Sequence, residues 1–164
     1  MLKSKPGIEI DKVSGVGQNY KSLFNRLGVF SLKDLIYFLP KKLLDLQEIT
    51  AIAKAKTLDG QLVVLKAVIK DISIIRTRVK HMWIVEAILE DGTGSIMGIW
   101  YNQPFMQKNL KKGQEYVFYG IISVKSNKLV INNPEVYDEP GLYPIYPQTK
   151  GLTSKVISKI IRKV

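Results

Sequence analysis

The sequence contains no cysteine, and it has a single histidine, His81. Without thiols, the chain can form neither a disulfide framework nor a thiolate metal site, which fits a reducing compartment. Its apolar runs are all shorter than the roughly 20 residues that cross a bilayer. Its first six residues lack the apolar core and cleavage site of a signal peptide. We therefore expect a cytoplasmic protein that does not enter a membrane.

Signatures of catalysis are missing as well. His81 follows a basic segment, where we expect a ring that faces solvent or phosphate rather than a catalytic base. The sequence shows no paired carboxylates and no histidine cluster with metal-ligand spacing. It also has no G-x-x-x-x-G-K-[ST] loop of the kind that holds nucleotide phosphates. The chain is therefore predicted not to hydrolyse ATP and to bind neither a metal nor a cofactor itself.

What the chain does have is positive charge. Lysine and arginine number 25 against 14 acidic residues, which gives a net charge of +11 over 164 residues. Hydrophobic residues make up 46%, enough for the packed core of one domain with small appendages. The basic surplus favours a polyanionic partner, and nucleic acid is the commonest one. The alternative is a protein that lysines merely keep soluble.

The first part of the chain is predicted to form a small helical unit over residues 1–48. One helix is indicated by the apolar spacing from Tyr20 to Leu27, and a second begins at Ser31 and ends before Pro40. Before the first helix, Gly15-Val16-Gly17 is similar to the hairpin of helix-hairpin-helix DNA-binding motifs. There, glycines at positions such as Gly15 and Gly17 let backbone N–H groups approach a phosphate. An ordinary turn is the alternative, and we favour it slightly.

The middle of the chain changes to strand patterns. Five strands are predicted at 61–75, 82–90, 95–101, 115–124 and 129–131, with a short helix from Pro104 between the third and the fourth; Asn133-Pro134 and then Glu139-Pro140-Gly141 are expected to end the sheet. This order is that of an OB-fold barrel, here over residues 49–139, although a barrel of another topology is the alternative. The fold class is therefore α+β and mainly β. Residues 140–164 are predicted to form an extended linker and a C-terminal helix, whose apolar stripe we expect to pack on the rest of a longer polypeptide.

Aromatic and basic residues meet at the end of the third strand, in Trp100-Tyr101-Asn102-Gln103-Pro104-Phe105. OB-folds bind oligonucleotides through one face and two loops, and both of those loops are basic in this sequence. Flat rings beside lysines suit base stacking and phosphate neutralisation, whereas core packing is the alternative for any single ring. The candidate phosphate-binding residues are Arg76, Arg78 and Lys80 in the first loop, Lys125 and Lys128 in the second, and Lys108 and Lys111 in the helix.

Several of these segments, taken in order, resemble one known family. They are Val13–Gly17 before a helix, Leu39–Lys42, Asp91–Gly94, Trp100–Phe105 and Tyr143–Leu152. Together they resemble the N-terminal wedge region of the RecG family of ATP-dependent DNA helicases, over nearly the whole chain. The pattern departs from the family at Lys41-Lys42-Leu43, where Arg-Arg-Tyr is common, so that a bidentate guanidinium contact to phosphate is lost.

The resemblance implies a DNA-binding wedge domain that binds branched DNA, such as stalled forks and Holliday junctions. It would split the arms during fork reversal and branch migration in recombination and repair. It also implies that Tyr101 and Phe105 stack on bases, while Trp100 is the core neighbour because adjacent strand residues face opposite ways.

The further partners would be the motor domains of the same polypeptide, reached through the helix at 153–164. ATP and magnesium would bind only to those domains, and the protein would be a monomer. Two alternatives remain open, namely a stand-alone OB-fold binder of single-stranded DNA or RNA and a protein-interaction OB module.

Overall fold

A computed structural model describes residues 7–125 and 128–164, with the side chain of Lys125 outside the description. After a 3-10 turn at Ile10–Lys12, the helices and strands follow in this order: α1 Gln18–Arg26, α2 Leu32–Ile36, β1 Lys42–Asp45, α3 Ile52–Ala55, β2 Leu62–Arg76, β3 Trp83–Glu90, β4 Ser95–Tyr101, α4 Phe105–Asn109, β5 Glu115–Lys125, β6 Lys128–Tyr137, β7 Leu142–Ile145 and α5 Ser154–Ile161. None of the helices within these ranges combines the length and the apolar character that crossing a membrane requires.

The chain divides into two units. One is Leu46–Gly141, and the other joins the chain up to Asp45 with Leu142–Val164. The first unit begins and ends within three residues of the barrel predicted at 49–139. The second unit contains both the predicted helical segment and the predicted C-terminal segment. It is held together by pairing of β1 with β7, from Lys42 opposite Ile145 to Asp45 opposite Leu142.

The first unit is a closed barrel of five strands in the spatial order β2-β3-β4-β6-β5. Along the chain, α4 lies between β4 and β5, the third and fourth strands of the barrel in sequence. All neighbours pair antiparallel except β4 and β6, which pair in parallel. The fifteen residues of β2 serve two partners, because Leu62–Val68 pair with β5 and Val68–Arg76 pair with β3. The prediction of an OB-fold, mainly β with a few helices, is confirmed.

Alternation of side chains decides what fills the barrel. On β3 from Val85 onward and along β4, the inward positions are buried, and the largest of them is Trp100. The positions between them face outward and remain partly or fully exposed, namely Ile84, Glu86, Ile88 and Glu90 on β3 and Ser95, Met97, Ile99 and Tyr101 on β4. This pattern was readable from the sequence, and it leaves one face of β3 and β4 accessible.

The second unit has its own apolar core, in which α5 takes part. Ile157 and Ile160 are buried against Ile10, Phe24 and other residues of the helical segment. The apolar stripe of α5, which was expected to pack on the rest of a longer polypeptide, therefore packs within this unit at Ile157 and Ile160, whereas Val164 is 55% exposed. The tail before α5 is also ordered, because the Ser154 hydroxyl accepts a hydrogen bond from Tyr146 N–H at 2.9 Å and donates to Pro144 O at 3.3 Å.

The turn Asp91-Gly92-Thr93-Gly94 fixes the short helix α3 to the barrel. Asp91 Oδ2 accepts the Ile52 N–H at 2.7 Å, and Thr93 Oγ1 accepts the Ala53 N–H at 3.1 Å. The residue before α3, Ala51, has no side chain able to cap the helix, so the turn supplies the cap from 39 residues away. Burial raises the pKa of Asp91, but N–H donors from Ile52, Thr93 and Gly94 outweigh it, and the pKa lies below its ordinary 3.8.

We expect Asp91→Asn to lower the free energy of unfolding by about 1–2 kcal/mol at pH 7, because an amide cannot accept with both of its polar atoms. Because the pKa of Asp91 is lowered in the folded state, its contribution to stability is complete above the unfolded-state pKa. That contribution is lost as the pH falls through the folded-state pKa. The gap between wild type and variant should therefore narrow below about pH 3.8. Urea unfolding between pH 7 and pH 3 measures the difference in free energy of unfolding between the two proteins. Asp138→Asn, a substitution at an exposed position, is the control. An equal gap at both ends would contradict the capping role.

Candidate nucleic-acid interface

Trp100 anchors the end of β4. Its indole is 1% exposed, and its Nε1–H donates to Pro134 O on β6 at 2.9 Å. Gly98 makes room for the ring, since a β-carbon there would lie 3.0 Å from Trp100 and 3.1 Å from Leu89. The prediction that Trp100 is the core ring of this segment is confirmed. Its burial fixes where the chain leaves the barrel, and hence where Tyr101 lies.

Asn133 holds the residues that follow Trp100. Its Oδ1 accepts the Tyr101 N–H at 2.9 Å and the Gln103 side-chain amide at 3.2 Å. Asn133 lies in a β-bulge, because β6 advances three residues from Asn132 to Glu135 while β5 advances two from Tyr119 to Ile121. Its φ is +44°, in the left-handed region that asparagine tolerates better than most residues.

The prediction that Asn133-Pro134 contributes to ending the sheet is therefore wrong, whereas Glu139-Pro140-Gly141 does follow the last strand of the barrel. The strand β6 continues to Tyr137, because the bulge places both residues within it. Asn133 is also a functional candidate that sequence reasoning missed. The signal available was an asparagine-proline pair inside an otherwise strand-like run, which is a pattern typical of a bulge as well as of a turn.

Tyr101 is half-buried on the outer side of the barrel. Alternation turns it away from Trp100, and it lies opposite Ile84 of β3. Its hydroxyl is 3.5 Å from Asn132 Oδ1, at the limit of a hydrogen bond. Part of the ring is thus accessible, and its backbone is held from β6.

Phe105 begins α4 and points away from the core. The ring is 53% exposed, whereas Met106 and Leu110 of the same segment are buried in the barrel. Lys108 is exposed and lies three residues after Phe105, so the two share a helix face. The helix therefore presents an apolar ring and an ammonium group side by side from an anchored support.

The first basic loop is a closed hairpin. Thr77 N–H donates to Met82 O at 2.9 Å, and Met82 N–H donates to Thr77 Oγ1 at 3.0 Å. Arg78 and Lys80 are exposed near its tip, and Arg76 is exposed at the end of β2. Within the described part of the chain, none of these three cations forms an ion pair. The hairpin and Tyr101 lie at the same end of β3 and β4, since Ile84 pairs with both Ile75 and Tyr101.

The second basic loop lies at the opposite end of β4. Lys128 is exposed and lines a cavity of about 490 Å³ together with Ser95. Ser95 is six residues from Tyr101, or roughly 20 Å along a strand. The two loops thus flank one face of β3 and β4 at its two ends. The Lys125 side chain, Ser126 and Asn127 lie outside the described residues.

Lys111, Gly15 and Gly17 are the remaining residues that the sequence predicted to contact phosphate. Lys111 is exposed beside Lys112, which pairs with Asp71 at 3.0 Å and lowers the pKa of that carboxyl. Gly15 and Gly17 are exposed in the other unit, where Gly17 precedes α1 and only Gly15 has a positive φ, +88°. Over residues 7–125 and 128–164 no group of acidic and histidine side chains has the makings of a metal site.

Comparison with known proteins identifies the family. The model of the family described as the RecG wedge domain matches residues 9–164. The chain belongs to the RecG wedge domain family. It is 32% identical to the ATP-dependent DNA helicase RecG of Thermotoga maritima, over 94% of this chain and 20% of that protein. It is 30% identical to that of Aquifex aeolicus, over 93% of this chain and 17% of the relative.

The wedge domain also matches a solved structure. A structure described as RecG bound to a three-way DNA junction aligns with a TM-score of 0.82 and 27% identity, over 98% of this chain and 23% of that one. The chain thus spans about one fifth of the length of the relatives it matches. The comparisons support the predicted wedge region and its OB-fold.

A pair of asparagines allows the role of Asn133 to be tested. Asn133 and Asn102 both have positive φ, +44° and +54°, so glycine suits either backbone. We expect Asn133→Gly to lower the free energy of unfolding by about 1–3 kcal/mol more than Asn102→Gly, because only Asn133 loses two side-chain hydrogen bonds. Urea unfolding at 25 °C measures both variants. Equal losses would show that the Asn133 side chain does not stabilise this segment.

Proposed function

We propose that this chain is the DNA-binding wedge of a RecG-like helicase, which binds branched DNA and parts its arms by stacking bases on Tyr101 and Phe105. The observation that carries the proposal is Phe105. A ring that is 53% exposed, on a helix whose other apolar residues are buried, contributes little to the core. Beside Lys108, it offers a stacking surface and a phosphate contact at one place.

Tyr101 supplies the second ring of the proposed site. It precedes Phe105 by four residues, and the segment between them is held by Trp100, Asn133 and Gln103. A rigid support matters because a stacking ring that must first be ordered loses binding free energy. Stacking of this kind is worth about 1–3 kcal/mol per base and reads no sequence. That suits the recognition of a branch point, where bases unstack whatever their sequence.

The phosphate contacts are proposed to come from cations around these rings. Arg76, Arg78 and Lys80 stand at the same end of β3 and β4, and Lys108 and Lys111 follow Phe105. A net charge of +11 would favour association with any nucleic acid. Gly15 and Gly17 remain proposed backbone contacts, and Lys125 and Lys128 would act further along the barrel face.

The wider activity is proposed for the protein to which such a wedge belongs. Fork reversal and branch migration need a motor, and the relatives that the chain matches are ATP-dependent DNA helicases. The motor domains would bind ATP and magnesium, would follow α5 in the same polypeptide, and would act in the cytoplasm on DNA as a monomer.

A second candidate function is supported by the cavity beside Lys128. Its lining includes Ile88, Met97 and Leu129 on the outer face of the barrel, where a single strand could lie. A protein that binds only single-stranded nucleic acid would use this face. It would not need Tyr101 and Phe105 to stack on bases at a DNA branch point.

We expect Tyr101→Ala and Phe105→Ala each to weaken binding of a three-way junction about 5- to 150-fold, since each removes one stacked base. Fluorescence anisotropy with labelled junctions, in competition with a single strand of equal length, measures both affinity and preference. Tyr101→Phe keeps a ring and should bind normally, whereas Phe105→Leu keeps apolar bulk and should bind weakly. Equal affinity of the wild type for junction and single strand would contradict the wedge and favour the second candidate.

The proposed phosphate contacts predict a change in salt dependence. The logarithm of the affinity for duplex DNA should fall linearly with the logarithm of salt, and each contact contributes about 0.9 to the slope. Arg78→Gln together with Lys80→Gln should therefore lower the slope by about 2. Lys112→Gln is the matched control, because Lys112 already pairs with Asp71. A flat salt curve for the wild type would point to a protein-interaction module instead.

A further inference from the structure

Trp83 is the largest ring of the barrel that lies outside both the core and the proposed wedge pair. It begins β3 and is 38% exposed, although its alternation with Val85 predicts a buried position. The difference arises because Trp83 lies at the rim, past the last residues that fill the barrel. The Asn102 N–H donates to Trp83 O at 2.7 Å, so the backbone of Trp83 is bonded to the segment that joins Tyr101 to Phe105.

Arg76 covers part of the Trp83 ring. The two residues pair directly across β2 and β3, and the guanidinium carbon lies 5.4 Å from the ring centroid. Arg76 Nε–H also donates to His81 O at 3.4 Å, so the guanidinium is held against the hairpin. A cation–π pair at an exposed site is weak, which leaves the arrangement accessible to a stronger ligand.

The surroundings of Trp83 favour a nucleic-acid strand. Arg78 and Lys80 follow Arg76 in the hairpin and form no ion pair among the described residues, and between them Val79 is 91% exposed. An indole is the ring most favourable to a cation on its face, and aromatic rings beside cations are what single strands stack on. Side-chain alternation also turns Trp83 to the face opposite Tyr101, since Ile84 pairs with Tyr101.

From this we infer that Trp83 and Arg76 form a third stacking platform, which takes an unpaired base of single-stranded DNA on the face of the strands opposite Tyr101. The indole stacks on the base, while Arg76, Arg78 and Lys80 neutralise the adjoining phosphates. A branch point has two strands to keep apart, and platforms on opposite faces would keep one on each side. The inference rests on the proposed DNA binding and adds a site to it.

Intrinsic fluorescence provides the test, because the chain has two tryptophans and Trp100 is buried. A three-way junction with one unpaired arm is titrated into the protein, while anisotropy of a label on the DNA reports binding independently. We expect the emission to fall on saturation and acrylamide quenching to weaken. Trp83→Phe, which leaves Trp100 alone, should bind with nearly normal affinity and show almost no emission change.

Variants of the platform complete the experiment. Trp83→Ala should weaken binding about tenfold, within the range for one stacked base, and far-UV circular dichroism checks that the barrel is intact. Binding by anisotropy with unchanged emission would overturn the inference and leave the wedge function standing. An emission change with normal affinity of Trp83→Ala would overturn it as well, since the ring would then merely lie near the DNA. Absence of any junction binding would overturn the proposed function together with the inference.

Discussion

Burial of Trp100 is the constraint on which the candidate site depends. A tryptophan inside a small barrel needs space for its ring and a hydrogen-bond acceptor for its indole N–H. Gly98 leaves the space because it has no side chain, and Pro134 O is the acceptor. Because the indole fixes the end of β4, the next residue must face outward, and Tyr101 is that residue. The bulge at Asn133 then holds the chain beyond it. The same packing that closes the core therefore positions the ring proposed to contact DNA.

Rings and cations around the barrel are placed by different physical needs. Phe105 stays exposed because Met106 and Leu110 take the inward side of α4 and anchor the helix. Lysines and arginines keep their charged ends in water, so they gather wherever a turn or a helix face is exposed. If the proposal holds, a surface built in this way would bind phosphate without reading sequence, while its rings would respond to unpaired bases. Selectivity for a branch would come from the rings, and attraction to DNA in general from the charge.

Strands and core were predictable because alternation is a local signal, and the structure follows it closely in β2, β3 and β4. Two features were not predictable from the sequence. Asn133-Pro134 has the composition of a turn, and only pairing with Tyr119 and Ile121 shows that it is a bulge. Trp83 fits the alternation of a core residue, and only its place at the rim explains its exposure. In both cases the deciding fact is a partner distant in sequence, which a single sequence does not reveal.

Two of the motifs that carried the family resemblance have structural roles. Asp91-Gly92-Thr93-Gly94 caps α3, and the Tyr146 and Ser154 region joins the tail to its own unit. A match based on such residues establishes the scaffold, because they are needed wherever this fold is built. The rings of Tyr101 and Phe105 take less part in this packing, since Tyr101 is half-buried and Phe105 is exposed. The proposal of DNA contact at these rings therefore depends on their exposure and on the cations beside them.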